Sequence, residues 1–244
     1  MCINFDKRKK VALPGDENQT IAFTVDYFTK IAKKSIDEKG KFFVAISGGN
    51  TPLKVYKQLS EECSTTIQWE NVYIFWSDER GVSPNNKESN YKMAMDSGIR
   101  SLPLKKDHIF RMEAECNIEA NAEKYETIIR NMLQDNKFDL IMLGIGVDGH
   151  IASLFPGTSA LTVQDKFVVA NYIPQKREYR MTFTYQLINS AKNIIIYVVG
   201  CDKNDIISKI FVNPLNTLPA TKIGTNSNKA LWIIDDSASK NNFL

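Results

Sequence analysis

Apolar residues recur along the chain with two different periods. Ile21, Val25, Phe28, Ile31, Ala32 and Ile36 follow three- and four-residue spacing, which predicts an amphipathic helix that Gly40 ends. Pro52 suits the first turn of a second helix carrying Leu53, Val55, Tyr56 and Leu59. Tyr125, Ile128, Ile129, Met132 and Leu133 share one helical face, and residues 205–211 predict another helix. Between them lie short β-rich runs at Phe42–Ile46, Val72–Trp76, Leu140–Leu143, 167–170, 194–199 and 231–234. These runs are continuously apolar rather than alternating, the pattern of strands covered on both faces. Short buried strands separated by helices predict an α/β fold, a mainly parallel sheet with helices on both faces. There is no repeat, linker or low-complexity tract, so residues 1–244 are expected to form one domain. In such sheets ligands bind beyond the carboxyl ends of the strands, so the loops after strands are where chemistry is expected.

Three of those loops are unusual. The first, Ser47-Gly48-Gly49-Asn50-Thr51-Pro52, leaves a strand and enters a helix. Its glycines let the backbone approach a ligand, two hydroxyls flank them, and the helix N-terminus adds a positive dipole end. That is a phosphate cradle in physical terms, although the GxxxxGK[ST] spacing of a P-loop is absent. The second, Ser77-Asp78-Glu79-Arg80-Gly81, offers the Arg80 guanidinium to a phosphate or carboxylate, with Asp78 or Glu79 able to hold that fork in place. Ser89, ahead of Asn90 and Tyr91, suits a helix N-cap.

The third runs from Gly144 to Gly157 as GIGVDGHIASLFPG. Its first six residues satisfy GxGxxG, and Asp165 lies about 20 residues on, as a dinucleotide fingerprint asks. That reading fails on context. Two strands precede this one, Pro156 breaks the required helix, and Asp165 comes before its strand instead of after it. What remains is a glycine-lined strand end presenting Asp148 and His150. A neutral imidazole with a pKa of about 6.5 is a competent base at cell pH, and a carboxylate on its other nitrogen fixes the tautomer. The other histidine, His108, has no glycine frame and is expected on the surface or in packing.

Composition changes little of this. Net charge is +3 over 244 residues, too near balance to imply nucleic-acid binding. The basic run Lys7-Arg8-Lys9-Lys10 reads as a solvated tail, and no apolar core follows it as a secretory signal requires. No apolar run approaches the ~20 residues of a membrane helix. Cys2, Cys63, Cys116 and Cys201 are scattered without a CxxC pair, which suits reduced thiols in a cytoplasmic protein and neither disulfides nor a thiolate zinc site. No cluster of His, Cys or carboxylates has metal-ligand spacing. The partner expected is a small molecule; the sequence sets no oligomeric state, and a monomer is compatible with it.

Taken in order, SGGNTP, WSDER, SNY, GIGVDGHIASLFPG, Arg180-Met181-Thr182, Val199-Gly200-Cys201-Asp202-Lys203, Leu218-Pro219-Ala220 and Trp232-Ile233-Ile234-Asp235 resemble the 6-phosphogluconolactonase family. Each piece is weak alone, but eight in order are specific. The resemblance implies a fold like that of the sugar-phosphate isomerase and deaminase superfamily, with a few strands added to the parallel sheet. It implies hydrolysis of the δ-lactone of 6-phosphogluconate in the pentose phosphate pathway, without metal or organic cofactor. In that chemistry His150 takes the proton of a water and Asp148 orients it. Backbone N–H groups of the glycine-rich segment stabilise the oxyanion and Gly146 and Gly149 contact the substrate, while Ser47, Gly48, Gly49, Asn50, Thr51, Arg80 and Lys203 grip the phosphate with help from Arg180. A glucosamine-6-phosphate deaminase would carry a Glu shortly after the histidine. Here the stretch reads Ala152-Ser153-Leu154-Phe155-Pro156, with no acid before Asp165. A non-catalytic sugar-phosphate binder is the remaining alternative.

Overall fold

Helix α1 (Glu17–Lys39) starts at Asp16, whose carboxylate accepts the Gln19 N–H while the Gln19 side chain accepts the Asp16 N–H. Such a capping box satisfies two otherwise orphaned donors, and a good N-cap contributes about 0.5–2 kcal/mol. The helix ends at Gly40, whose φ of 73° is left-handed. Ile21, Val25, Phe28, Ala32 and Ile36 form its buried face, as the spacing predicts. The computed structural model describes residues 2–133, 135–212 and 217–240. Its strands are β1 (Cys2–Asn4), β2 (Lys9–Ala12), β3 (Phe42–Ile46), β4 (Val72–Trp76), β5 (Asp78–Arg80), β6 (Ile109–Phe110), β7 (Leu140–Leu143), β8 (Val168–Ile173), β9 (Glu178–Phe183), β10 (Ile194–Val198) and β11 (Ala230–Ile234). The further helices are α2 (Asn50–Glu62), α3 (Asn90–Asp96), α4 (Ile118–Met132), α5 (Tyr185–Ser190), α6 (Asn204–Phe211) and α7 (Asp236–Ser239).

Eight strands form one sheet in the order β1-β2-β11-β10-β7-β3-β4-β6, parallel throughout except where β1 pairs with β2. Every residue of β3, β7, β10 and β11 is buried, as continuous apolar runs require. From β3 the chain steps outward to β4 and β6, whereas from β7 it steps the other way to β10 and β11. The order therefore reverses between β3 and β7. Their carboxyl ends, which carry the Ser47 and Gly144 loops, open the crevice where such sheets bind ligands.

Three expectations need correction. The apolar run at 167–170 does not join the parallel sheet. It starts β8, the outer strand of a second, antiparallel sheet β5-β9-β8. Ala170 is only half-buried and Tyr172, two residues on and on the same face, is exposed, so this strand has a face that turns wet beyond a short apolar window. Asp78–Arg80 is not a loop but β5 of that sheet, paired with β9. The basic N-terminal run is not a free tail. Lys9 opens β2, is 5 % exposed and bonds Asp6, while the Arg8 guanidinium donates to the Lys222 carbonyl. His108 does pack: it is buried and stacks on Tyr73 with ring centroids 3.7 Å apart.

Candidate active site

A cavity of about 270 Å³ lies in the crevice between β3 and β7. Ser47, Gly48, Gly49, Asn50, Thr51, Arg80, Gly146, His150, Arg180 and Lys203 all line it, although they come from five separate stretches of chain. Asp148 is not in its wall; it stands behind His150. Gly149, expected among the binding residues, is also not in the wall. It is buried at φ 78°, where a Cβ would meet Leu218 and Ile206, and its carbonyl accepts the Ala220 N–H. Its role is to turn the chain that carries His150.

The His150 Nδ1 lies 2.5 Å from Asp148 Oδ1. A carboxylate only accepts, so Nδ1 carries the proton and Nε2 keeps its lone pair. The same Asp148 oxygen accepts the His150 backbone N–H at 3.1 Å, which fixes the acid over the loop. Burial raises the Asp148 pKa, but the hydrogen bonds from the His150 side chain and backbone outweigh it and hold the carboxyl below its ordinary value. The imidazole stacks on Phe155 at 4.0 Å with the planes 14° apart. Gly146 leaves room for this pair, since a Cβ there would lie 2.0 Å from His150 Nδ1 and 2.6 Å from Asp148 Oδ1. Gly146→Ala is therefore expected to displace the histidine and lower kcat by about 10²-fold, within the usual worth of a general base, with an unchanged circular dichroism spectrum. Near wild-type kcat would show that the dyad tolerates the shift. No α-helix opens at Gly149, which removes the geometry a dinucleotide fingerprint needs. Two N–H groups of the glycine-rich segment are already bonded within the loop. The Gly146 N–H bonds the His150 carbonyl and the Gly149 N–H bonds the Gly146 carbonyl, so both are spent in holding the turn.

The second sheet supplies the charge. Side chains alternate along β5, so Asp78 and Arg80 share the cavity face while Glu79 points away. Arg80 sits directly opposite Arg180 in the β5–β9 pairing. Like charges at such a pair repel, and two guanidiniums lining one cavity define a place for an anion. Neither Asp78 nor Glu79 holds the Arg80 fork, contrary to expectation. Arg80 Nη1 donates to the Glu88 carbonyl. Glu79 instead binds the start of α3, accepting from Ser89 Oγ at 2.9 Å and from the N–H groups of Asn90 and Tyr91 at 2.7 and 2.8 Å. Burial raises its pKa, and these bonds oppose the rise. Ser89 caps α3 as predicted. Asp78 is buried and accepts the Ser153 hydroxyl at 2.6 Å, so Ser153 is committed to structure. Arg180, 6 % exposed, is held by Glu178 through Nε at 2.7 Å and lies over the Phe155 ring. Phe155 thus has the imidazole and this guanidinium as neighbours.

Two further loops complete the wall. Gly49, at φ 119°, is the N-cap of α2 and offers no side-chain acceptor, so the first N–H groups of the helix have no side-chain cap. Lys203 pairs with Asp202 at 3.1 Å. Its loop is tied down by Asp235, which accepts from the Gly200 and Ala238 N–H groups. Sequence reading missed Tyr197, Asp202 and Asn90 as lining residues. Tyr197 sits in an apolar strand run, where nothing but the fold marks it. Asn90, in SNY, was visible only as a helix start.

Fold and cavity together describe an α/β protein whose topological switch point opens on a cavity lined by Arg80, Arg180 and Lys203. The chain belongs to the family described as glucosamine-6-phosphate isomerases/6-phosphogluconolactonase, whose profile matches residues 15–232. Among its relatives, the 6-phosphogluconolactonase of Chlamydia trachomatis is 33 % identical over 240 residues, 98 % of this chain and 92 % of that protein. That of Chlamydia pneumoniae is 36 % identical over 235 residues, 95 % of this chain and 90 % of that one. Among solved structures, 6-phosphogluconolactonase from Thermotoga maritima superposes with a TM-score of 0.81 at 27 % identity, covering 93 % of this chain and 100 % of that one. A monomeric glucosamine-6-phosphate deaminase also shares the fold, with a TM-score of 0.78 at 21 % identity and coverage of 94 % and 98 %. The fold alone therefore does not choose between the two reactions.

Proposed function

We propose that this chain is a 6-phosphogluconolactonase, a hydrolase that opens the δ-lactone of 6-phosphogluconate in the pentose phosphate pathway. The observation that carries the reading is the His150–Asp148 pair at 2.5 Å on the wall of a cavity that Arg80 and Arg180 also line. Lactone opening needs a water to attack an ester-like carbonyl. His150 Nε2 takes the proton from that water as its oxygen bonds to C1. The tetrahedral intermediate then expels the ring oxygen, which takes the proton back from the His150 imidazolium to become the C5 hydroxyl and leaves His150 neutral. Asp148 holds the tautomer and stabilises the imidazolium that forms. Arg80, Arg180, Lys203 and the 47–51 loop bind the phosphate. The deaminase alternative is disfavoured by the lack of an acid between His150 and Asp165; Asp165 is exposed and outside the cavity wall.

One hydrophobic cluster takes in residues of both sheets, which supports reading 1–244 as one domain. Among the described residues no helix is long and apolar enough to cross a membrane. We place the protein in the cytoplasm on its scattered cysteines, of which Cys116 and Cys201 are exposed thiols. The test of function is hydrolysis of 6-phosphoglucono-δ-lactone measured against its spontaneous rate; absence of acceleration overturns the reading. Among the described residues no group of three or more His, Cys, Asp or Glu could hold a metal ion. Prolonged EDTA treatment is accordingly expected to leave the rate unchanged, and a loss that zinc or magnesium restores would contradict the mechanism.

A further inference from the structure

Two tyrosines that the mechanism does not use meet at Ser47. The Tyr56 hydroxyl, from α2, donates to the Ser47 carbonyl at 2.7 Å and accepts the Ser47 N–H at 3.2 Å. Tyr197, from β10, places its hydroxyl 2.8 Å from Ser47 Oγ. Both phenols are buried, at 1 % and 2 % exposure, and burial keeps both protonated far above neutral pH. Tyr56 has spent its proton on the backbone, so its two bonds fix where β3 ends and the glycine loop begins. Ser47 and Tyr197 both line the cavity.

The proton order follows from the ligand. A phosphate at this loop presents acceptors only, so Ser47 binds it by donating its own hydroxyl proton. Ser47 Oγ must then accept from Tyr197, which makes the phenol the donor. We propose that Tyr197 is a positioning residue for phosphate recognition: it holds the Ser47 hydroxyl in the rotamer, and with the proton direction, that donates to the substrate phosphate, while Tyr56 anchors the same residue through its backbone. Tyr197 does not itself touch the reacting carbonyl. This rests on the lactonase reading and specifies how that site selects a phosphorylated sugar over a plain one.

The test compares wild type, Tyr197→Phe, Ser47→Ala and the double variant on 6-phosphoglucono-δ-lactone and on glucono-δ-lactone. Tyr197→Phe keeps the ring and removes only the donor. It is expected to lower the ratio of kcat/KM for the phosphorylated over the plain lactone by about three- to tenfold, the worth of one hydrogen bond between neutral groups, chiefly through KM. Ser47→Ala should lower the ratio at least as far, and Tyr197→Phe should then add less than twofold, because the role proposed for the phenol runs through that hydroxyl. Equal losses on both lactones, as a loosened fold would produce, overturn the proposal, as do fully additive losses in the double variant. Wild type that hydrolyses neither lactone refutes the functional reading instead, so the two failures are distinguishable.

Discussion

His150→Ala is expected to lower kcat by about 10²–10⁴-fold, the range over which a positioned general base contributes. The side chain is half-buried at the cavity wall, and its neighbours are Asp148 and one face of Phe155. Tm should therefore move little, and the KM for the phosphorylated lactone should stay close to wild type. Asp148→Asn should also lower kcat with little change in KM, since an amide no longer enforces the Nδ1–H tautomer or stabilises the imidazolium. The pH profile fixes the sign. A base works in its neutral form, so kcat/KM falls as pH drops and the imidazole gains a proton. Asp148, held below the usual carboxylate range by its bond to His150 against the push of burial, stays ionised through that fall. Steady-state kinetics of both variants, corrected for spontaneous hydrolysis, check this. Near wild-type kcat in His150→Ala would assign the base to another group.

Removing the phosphate from the substrate is expected to cost about 10²-fold or more in kcat/KM. Arg80 and Arg180 are opposed across the β5–β9 pair, with Lys203 on the same cavity. Two or three charge-assisted hydrogen bonds at about 1.5–3 kcal/mol each exceed that figure even after partial loss to solvent. Binding energy from a part of the substrate remote from the reacting carbonyl also orients it, so kcat should fall along with the rise in KM. Arg80→Ala offers the complementary measurement. It should reduce kcat/KM for the phosphorylated lactone by about tenfold or more while narrowing the preference over the plain lactone. Arg80 is the better choice for this because Arg180, buried against Glu178, would leave an unpaired carboxylate if removed. Equal kcat/KM for the two lactones would dismiss the phosphate assignment of the 47–51 loop and the arginine pair together.

Much of the central sheet was legible because its signals are local. A strand buried on both faces must be apolar at each residue, so Phe42–Ile46, Val72–Trp76 and Leu140–Leu143 have the bounds that the apolar runs predict. Gly40 and Ser89 are end signals whose physics lies within one helical turn. The second sheet was not legible. Asp78-Glu79-Arg80 looks like a solvated turn because nothing local shows that β9 pairs with it. The run at 167–170 looks like a central strand because four residues cannot reveal that one face is wet.

By itself, then, the sequence determined the fold class, the loops that line the cavity and the His150–Asp148 pair, because two residues apart on a tight glycine turn is a local geometry. Only the tertiary structure decided the rest. It set Arg80 against Arg180, 100 residues apart in sequence, by pairing β5 with β9. It turned Glu79 from a candidate clamp on Arg80 into the anchor of α3, withdrew Gly149 from the cavity, and bound Ser47 to Tyr56 and Tyr197. In each case the physical reason is the same. A side chain's partner across a sheet or crevice depends on strand order and register, and those are set by the packing of the whole core.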